Sequence, residues 1–263
     1  MASWEVVYKA TVFAAEEMGV ALRRSAFSPN IRERGDLSCA IADAEGAVVA
    51  QAEHIPVHLG SFRVGIRRTL SWLRERGVEL GEGDVVVVND PYVAGTHLND
   101  VMLLAPVHHR GVLVAYVVNK AHHVDLGGPV PGSINPQART IFEEGLVVPP
   151  VKLAESGTLR EDVLRLIAAN SRVPRAVAGD LHAQLAAVRV GARRVVELLE
   201  RYGRERVLRA WSEAIRHGRE LSLRRISGWR RGVYEAEDWL ELGDADLVLR
   251  ARVEVGGEGA VSY

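Results

Sequence analysis

The chain has 263 residues, 48% of them hydrophobic and 25% charged, with 33 basic against 34 acidic side chains and a mean hydropathy of +0.01. These globular proportions exclude a disordered or collagen-like chain and allow one large domain or two of ordinary size. A formal charge of −1 gives no global basic field to recruit nucleic acid or anionic lipid, so neither is an expected partner.

A single cysteine, Cys39, excludes an intrachain disulfide and a cysteine-rich zinc site. The segment Met1 to Met18 carries Glu16 and Glu17 and lacks the basic, apolar, small-residue order of a secretory signal. Val112 to Val118, the longest purely apolar run, falls far short of the ~20 residues a membrane helix needs. The expectation is a soluble, cytoplasmic protein.

Taken in chain order, Val6, Ala10, Phe13, Ala14, Met18 and Ala21 recur at helical spacing, with Arg23 and Arg24 in the last turn, and predict an amphipathic helix. Leu37 to Ile41 and Ala47 to Gln51 flank a polar, Gly-containing connection and predict a hairpin. Phe62, Ile66, Leu70 and Leu73 share a face of a second helix that Gly77 stops. Three short apolar runs follow, Val85 to Val88, Val101 to Val107 and Val112 to Val118, and read as buried strands. Polar residues concentrate in the connections at their ends, Asn89 to Asp100 and Asn119 to Gly128, where a rigid sheet presents chemistry.

Pro129 to Pro150 reads as ordered but irregular, and helices return over Leu159 to Ala169, from Pro174 onward, and around Leu208, Trp211 and Ile215. Leu247, Leu249, Ala251, Val253 and Val255 alternate with mostly polar neighbours as a strand with one wet face. After a turn at Gly256 to Gly259, a partner strand begins at Ala260 and stops within four residues, so the sequence reads as interrupted inside a β-rich region. The expected fold class is α+β: a mixed or antiparallel sheet, a largely helical layer after it, and a truncated C-terminal β region. The expected regions are 1–158, α/β and carrying the metal loops, then 159–228, helical, then 229–263, the start of the β-rich part.

The strongest chemical constellation is His97-x-x-Asp100 followed, after a strand pair, by His122-His123-x-Asp125. Imidazoles and a carboxylate suit Mn, Fe or Zn, and open positions on such an ion admit water or substrate. Surface histidines in polar loops are the plain alternative, and His108 and His109 read that way. His54 and His58, just before the Phe62 helix, are candidates for proton transfer or ligation. The Gly-Lys-Ser/Thr phosphate loop, G-x-G-x-x-G and G-x-S-x-G are all missing from the sequence, so no standard nucleotide site is visible.

The runs GDVVVVNDPYVAGTHLND (83–100), NKAHHVDLGGPVPGS (119–133) and IFEEGLVVPPVKL (141–153) resemble the hydantoinase B family. Segments 16–43, 54–61 and 179–203 share the resemblance, in the family's order. That family includes the B subunit of ATP-dependent N-methylhydantoinase, the C-terminal half of 5-oxoprolinase and the alpha subunit of acetone carboxylase, and its separate subunits are roughly double this length. The chain therefore matches the N-terminal half.

The resemblance implies a hetero-oligomeric machine in which a hydantoinase A-type ATPase subunit uses ATP to phosphorylate the oxygen of a small cyclic amide. The B component then opens the lactam or hydantoin ring at a divalent metal ion. It also implies metal ligation by His97, Asp100 and His122, from the T-H-x-x-D and A-H-H motifs, with Asn99 standing where the family has Pro. His123, Asp125 and His58 are then candidates for orientation or proton transfer in catalysis. Two alternatives stay open: a carboxylase subunit of the acetone type, and a non-catalytic half of a split or truncated gene product whose missing C-terminal half would be a partner. A mononuclear iron oxygenase is a weaker third.

Overall fold

The computed structural model describes residues 3–52, 54–242, 245–256 and 261–262. The chain divides into two compact units, Met1–Trp211 and Ser212–Tyr263. The first holds a seven-stranded sheet. Its strands are β1 (Leu37–Asp43), β2 (Val48–Ala52), β3 (Val85–Val88), β4 (Asp100–His109), β5 (Val112–His122), β6 (Val151–Glu155) and β7 (Thr158–Leu159), in the order β2-β1-β5-β4-β3-β6-β7. Every neighbouring pair is antiparallel. The α+β class and the antiparallel sheet expected from the sequence are thus present.

Helices cover both faces. On one side lie α1 (Trp4–Ser25), α5 (Glu161–Ala169) and α6 (Pro174–Tyr202), packed over Leu37, Cys39, Ile41, Val101, Leu103, Val117 and Ala121. On the other lie α3 (Val57–Glu75) and the short α4 (Pro91–Ala94), over Ala40, Ala42, Met102, Leu104 and Val118. Cover on both faces explains why Val85 to Val88 is an unbroken apolar run rather than an alternating one. A single-turn helix, α2 (Pro29–Arg32), joins α1 to β1.

Glycine lets α6 meet α1 closely at one point and the segment after α1 at another. A Cβ on Gly191 would strike Met18, and one on Gly179 the ring of Phe27. Trp211, early in α7 (Arg204–Ser227), is fully buried and donates its indole N–H to Thr11 Oγ1 of α1 (2.9 Å). Its apolar bulk is thus buried with its polar atom satisfied.

The elements differ from the sequence reading where boundaries matter most. Helix α3 starts at Val57, with Pro56 pre-set at φ −61°, so His58 lies within its first turn rather than before it. Strand β5 continues four residues past its apolar run, and His122 ends a strand rather than occupying a loop. His109 ends β4 and is buried, its Nε2 donating to Glu200 (2.6 Å), which corrects its reading as a surface residue.

The second unit contains the rest of α7 and an antiparallel ribbon, β8 (Gly232–Leu242), β9 (Ala245–Val255) and β10 (Val261–Ser262), ordered β10-β9-β8. Strand β8 has no counterpart among the elements expected from the sequence, while β9 matches the Leu247 to Val255 alternation. Of the expected turn and final strand, 257–260 and Tyr263 lie outside the described residues. No helix among the described residues is long and apolar enough to cross a membrane.

Candidate metal centre

Side chains alternate along a strand, so one face of β1, β4 and β5 carries a polar set at the end of the sheet where α3 begins. Ser38 on β1, Asp100 on β4 and Lys120 and His122 on β5 all belong to the face that α3 covers. Asp100 and His122 are cross-strand partners, and Ser38 and Met102 flank Lys120. Asp36 immediately precedes β1 after Gly35, whose φ of +69° turns the chain into the strand. Its carbonyl accepts the His122 N–H (3.0 Å).

Asp100 is the hub. Its Oδ2 lies 3.3 Å from His58 Nε2 and 3.3 Å from His97 Nδ1. His97 reaches it through a tight turn in which the Asp100 N–H donates to the His97 carbonyl (3.1 Å). The His97 and His122 rings stand 4.9 Å apart. One ligand atom each from Asp36, His58 and Asp100 lie within 4.8 Å of one another. The mutually close set among the described residues is thus Asp36, His58 and Asp100, of which only Asp100 belongs to the expected trio. His97 adjoins it through Asp100, and His122 through its pairing with Asp100 and the His97 ring, giving five candidate ligands at one edge. Three of them, His97, Asp100 and His122, carry the expected motifs; His58 stands in the sequence only as a neighbouring candidate, and Asp36 gives no local signal.

The hydrogen bonds of His58 bear on what this cluster holds. Ser38 Oγ donates to the Leu37 carbonyl (2.7 Å), so it accepts from His58 Nδ1 (3.2 Å). In the neutral ring that leaves a bare lone pair on Nε2 directed at a carboxylate. Both His58 Nε2 and Asp100 Oδ1 are buried without a hydrogen-bond partner. A lone pair facing an anion calls for a positive charge between them, either a proton or a metal ion.

Charge within the site follows burial and contact. Burial would raise the Asp100 carboxyl, but the contacts with His58 and His97, which become charged hydrogen bonds when a proton sits on the facing nitrogen, outweigh it and hold the group well below the usual carboxylate range. The hydrogen bond to Asp100 raises His97, while burial lowers His122 and so favours its neutral, ligating form. His97 is 44% exposed and opens the cluster to solvent. Behind it Lys120 is fully buried, and burial drives its ammonium down to about 8 against the pull of Asp100.

His123 faces the opposite side of the sheet. Gln184 on α6 donates to the Val101 carbonyl (2.8 Å) and Asn119 Oδ1 (2.9 Å), so its Oε1 accepts from His123 Nε2 (2.8 Å). The ring is fully buried with Nδ1 unpartnered. Asp125 accepts from the amides of Gly127 (3.1 Å), Gly132 (2.9 Å) and Arg172 (3.0 Å), and from Arg172 Nη1 (3.0 Å). It closes the irregular segment after β5 against the start of α6. Neither residue shares a hydrogen bond with the five-residue cluster.

With the geometry in place, comparison with known proteins is decisive at the family level. The hydantoinase B/oxoprolinase family model matches residues 1–262. The chain belongs to this family. A relative from Methanocaldococcus jannaschii is 44% identical over 251 residues, covering 95% of this chain and 44% of its own length. Caprolactamase subunit beta of Pseudomonas jessenii is 38% identical over 259 residues, 97% of this chain and 44% of that subunit. 5-Oxoprolinase of Dictyostelium discoideum is 37% identical over 210 residues, 80% of this chain and 16% of that protein.

The crystal structure of ATP-dependent caprolactamase from P. jessenii matches with a TM-score of 0.88 at 36% identity, over 97% of this chain and 44% of that one. A nucleotide-free acetone carboxylase structure shares the fold, with a TM-score of 0.87 at 20% identity over 98% of this chain and 36% of that one. This hydantoinase B-family chain thus spans less than half the length of these relatives.

Proposed function

We propose that this chain carries the metal centre of the B-type component of an ATP-dependent cyclic amide hydrolase. His97, Asp100 and His122 would hold a divalent ion, Mn, Zn or Fe, with Asp36 and His58 completing the set. The observation that carries this reading is the convergence of ligand atoms from Asp36, His58 and Asp100 within 4.8 Å of one another, with His58 Nε2 and Asp100 Oδ1 both buried and unpartnered. Two carboxylates and three imidazoles are donors that such ions accept.

When bound, the ion would supply Lewis acidity and a water of lowered pKa. The chain's own residues do the rest. Asp100 anchors the rings of His58 and His97. His97, the exposed member, faces the incoming substrate. His123 and Asp125 act from behind, where Gln184 and Arg172 fix the segment that follows β5.

The substrate class is a small lactam or hydantoin, and a hydantoinase A-type ATPase subunit is the partner. Caprolactamase and 5-oxoprolinase among the relatives support the substrate class, and the subunit organisation named for caprolactamase supports a partner. The partner would use ATP to phosphorylate the amide oxygen, turning it into a leaving group. The test is ring opening of caprolactam, 5-oxoproline and hydantoins by the chain in its natural assembly with that subunit. ATP-dependent opening of one of them is expected. Silence on the whole panel, or turnover only with bicarbonate, would contradict the proposal, the latter in favour of a carboxylase.

A further inference from the structure

Resting on the reading of the cluster as a metal site, we infer that Lys120 is its positioning residue: one buried ammonium gathers the three segments that deliver His58, His97 and His122. Lys120 Nζ donates to Ser61 Oγ (2.9 Å), to the Ala94 carbonyl (3.0 Å) and to Thr96 Oγ1 (3.2 Å). These three bonds use all the ammonium's protons.

Each acceptor leads to a ligand. Ser61 lies one helical turn after His58 on α3, and its hydroxyl donates onward to the His58 carbonyl (2.9 Å). Ala94 and Thr96 flank Gly95, whose φ of +80° ends α4, and Thr96 is joined directly to His97. Lys120 itself precedes His122 by two residues on the same face of β5.

Packing alone gives no reason for a lysine here. The site is apolar on one side, with Phe62 5.9 Å from Nζ, and a methionine of similar length would fill it without desolvating a charge. What methionine could not do is tie α3 to the 94–97 segment. Those two elements also share the apolar cluster of Phe62, Ile66, Val93 and Ala94, with the Ala94 carbonyl lying over Gly65, and Lys120 adds a polar tie at the end nearest the histidines.

The test uses the whole chain and Mn(II), with two variants that remove the tie from opposite ends, Lys120→Met and Thr96→Val, and one that keeps the hydroxyl, Thr96→Ser. Mn(II) binding is followed by electron paramagnetic resonance, and backbone hydrogen exchange is followed over 57–62 and 92–98. Lys120→Met and Thr96→Val should each weaken Mn(II) binding by about tenfold or more, as removal of an outer-shell partner does. They should also alter the spectrum of the bound ion and speed exchange over 92–98, while Thr96→Ser stays like the parent in all three. A role confined to stability would leave the bound spectrum alone.

Unchanged affinity and spectrum in Lys120→Met would overturn the inference. If the parent binds no Mn(II), the metal reading fails by itself. Exchange then judges Lys120: unchanged protection over 92–98 refutes the tie, and faster exchange upholds it. If Lys120→Met does not fold, the contrast between Thr96→Val and Thr96→Ser decides.

Discussion

His58 Nε2 and Asp100 Oδ2 face each other at 3.3 Å, while Ser38 engages the opposite nitrogen of the ring. The hydroxyl therefore selects the tautomer, because it holds Nδ1 as the donor and leaves Nε2 to ligate. Ser38→Ala frees the ring to place its proton on Nε2. The expected result is a folded protein with metal affinity reduced by about tenfold, the scale on which outer-shell partners act. Metal titration of the two proteins checks this, and equal affinities would show that Ser38 does not set the tautomer.

Asp125 gives a pH signature separate from the metal. Burial would raise its carboxyl, but the amides of Gly132, Arg172 and Gly127 and the Arg172 guanidinium outweigh it and hold the group down to about 2. Its ordinary value is about 3.9, so the stabilisation is complete above roughly pH 4 and is lost as pH falls through the folded value. Asp125→Asn should be less stable than the parent by about 1–3 kcal/mol at neutral pH, the range for hydrogen bonds made to a charged group. Below roughly pH 4 that difference should shrink, since the carboxyl of the unfolded parent then takes up a proton that the folded form resists until about pH 2. Urea unfolding across this range measures it. A constant difference down to the acid limit would remove the charge from the explanation.

Gly65 tests the close approach beside the site. A Cβ there would lie 2.7 Å from the Ala94 carbonyl oxygen and 3.3 Å from Met102 Sδ, and the first of these is backbone that must move. Gly65→Ala should destabilise by about 1–3 kcal/mol through overpacking. It should also weaken metal binding, because the displaced carbonyl is an acceptor of Lys120. Gly60, on the same helix, has nothing within 4 Å of such a Cβ. Gly60→Ala should therefore be neutral, or stabilising by up to about 1 kcal/mol from helix propensity. Thermal melts and metal titrations of the pair separate packing from propensity.

Strands β1 to β5 and β9 and the long helices are legible in the sequence because their apolar periods are strong, whereas β6, β7 and β8 have no counterpart in the sequence reading; the His97, Asp100 and His122 motifs are visible as motifs. What the sequence conceals is which face each residue takes. Once β5 is known to run through His122, alternation puts Lys120 and His122 on one face and His123 on the other. The polar tail of the run, Asn119 to His122, suggests a loop instead. Asp36 and Ser38 escape a local reading because β1 joins β5 through a long-range pairing that no local pattern announces. Lys120 stands beside an apolar strand as a single charge, and its three acceptors come from segments 24 to 59 residues away.

The central claim is that Asp36, His58, His97, Asp100 and His122 together hold one divalent ion. Elemental analysis of the parent and of Asp100→Asn, both purified from metal-replete medium and shown by circular dichroism to be folded, tests it most directly. The account predicts about one equivalent of Mn, Zn or Fe in the parent and its loss in Asp100→Asn, since the hub carboxylate contacts two of the other proposed donors, His58 and His97. A parent without metal, or an Asp100→Asn protein that keeps its full complement, would contradict it.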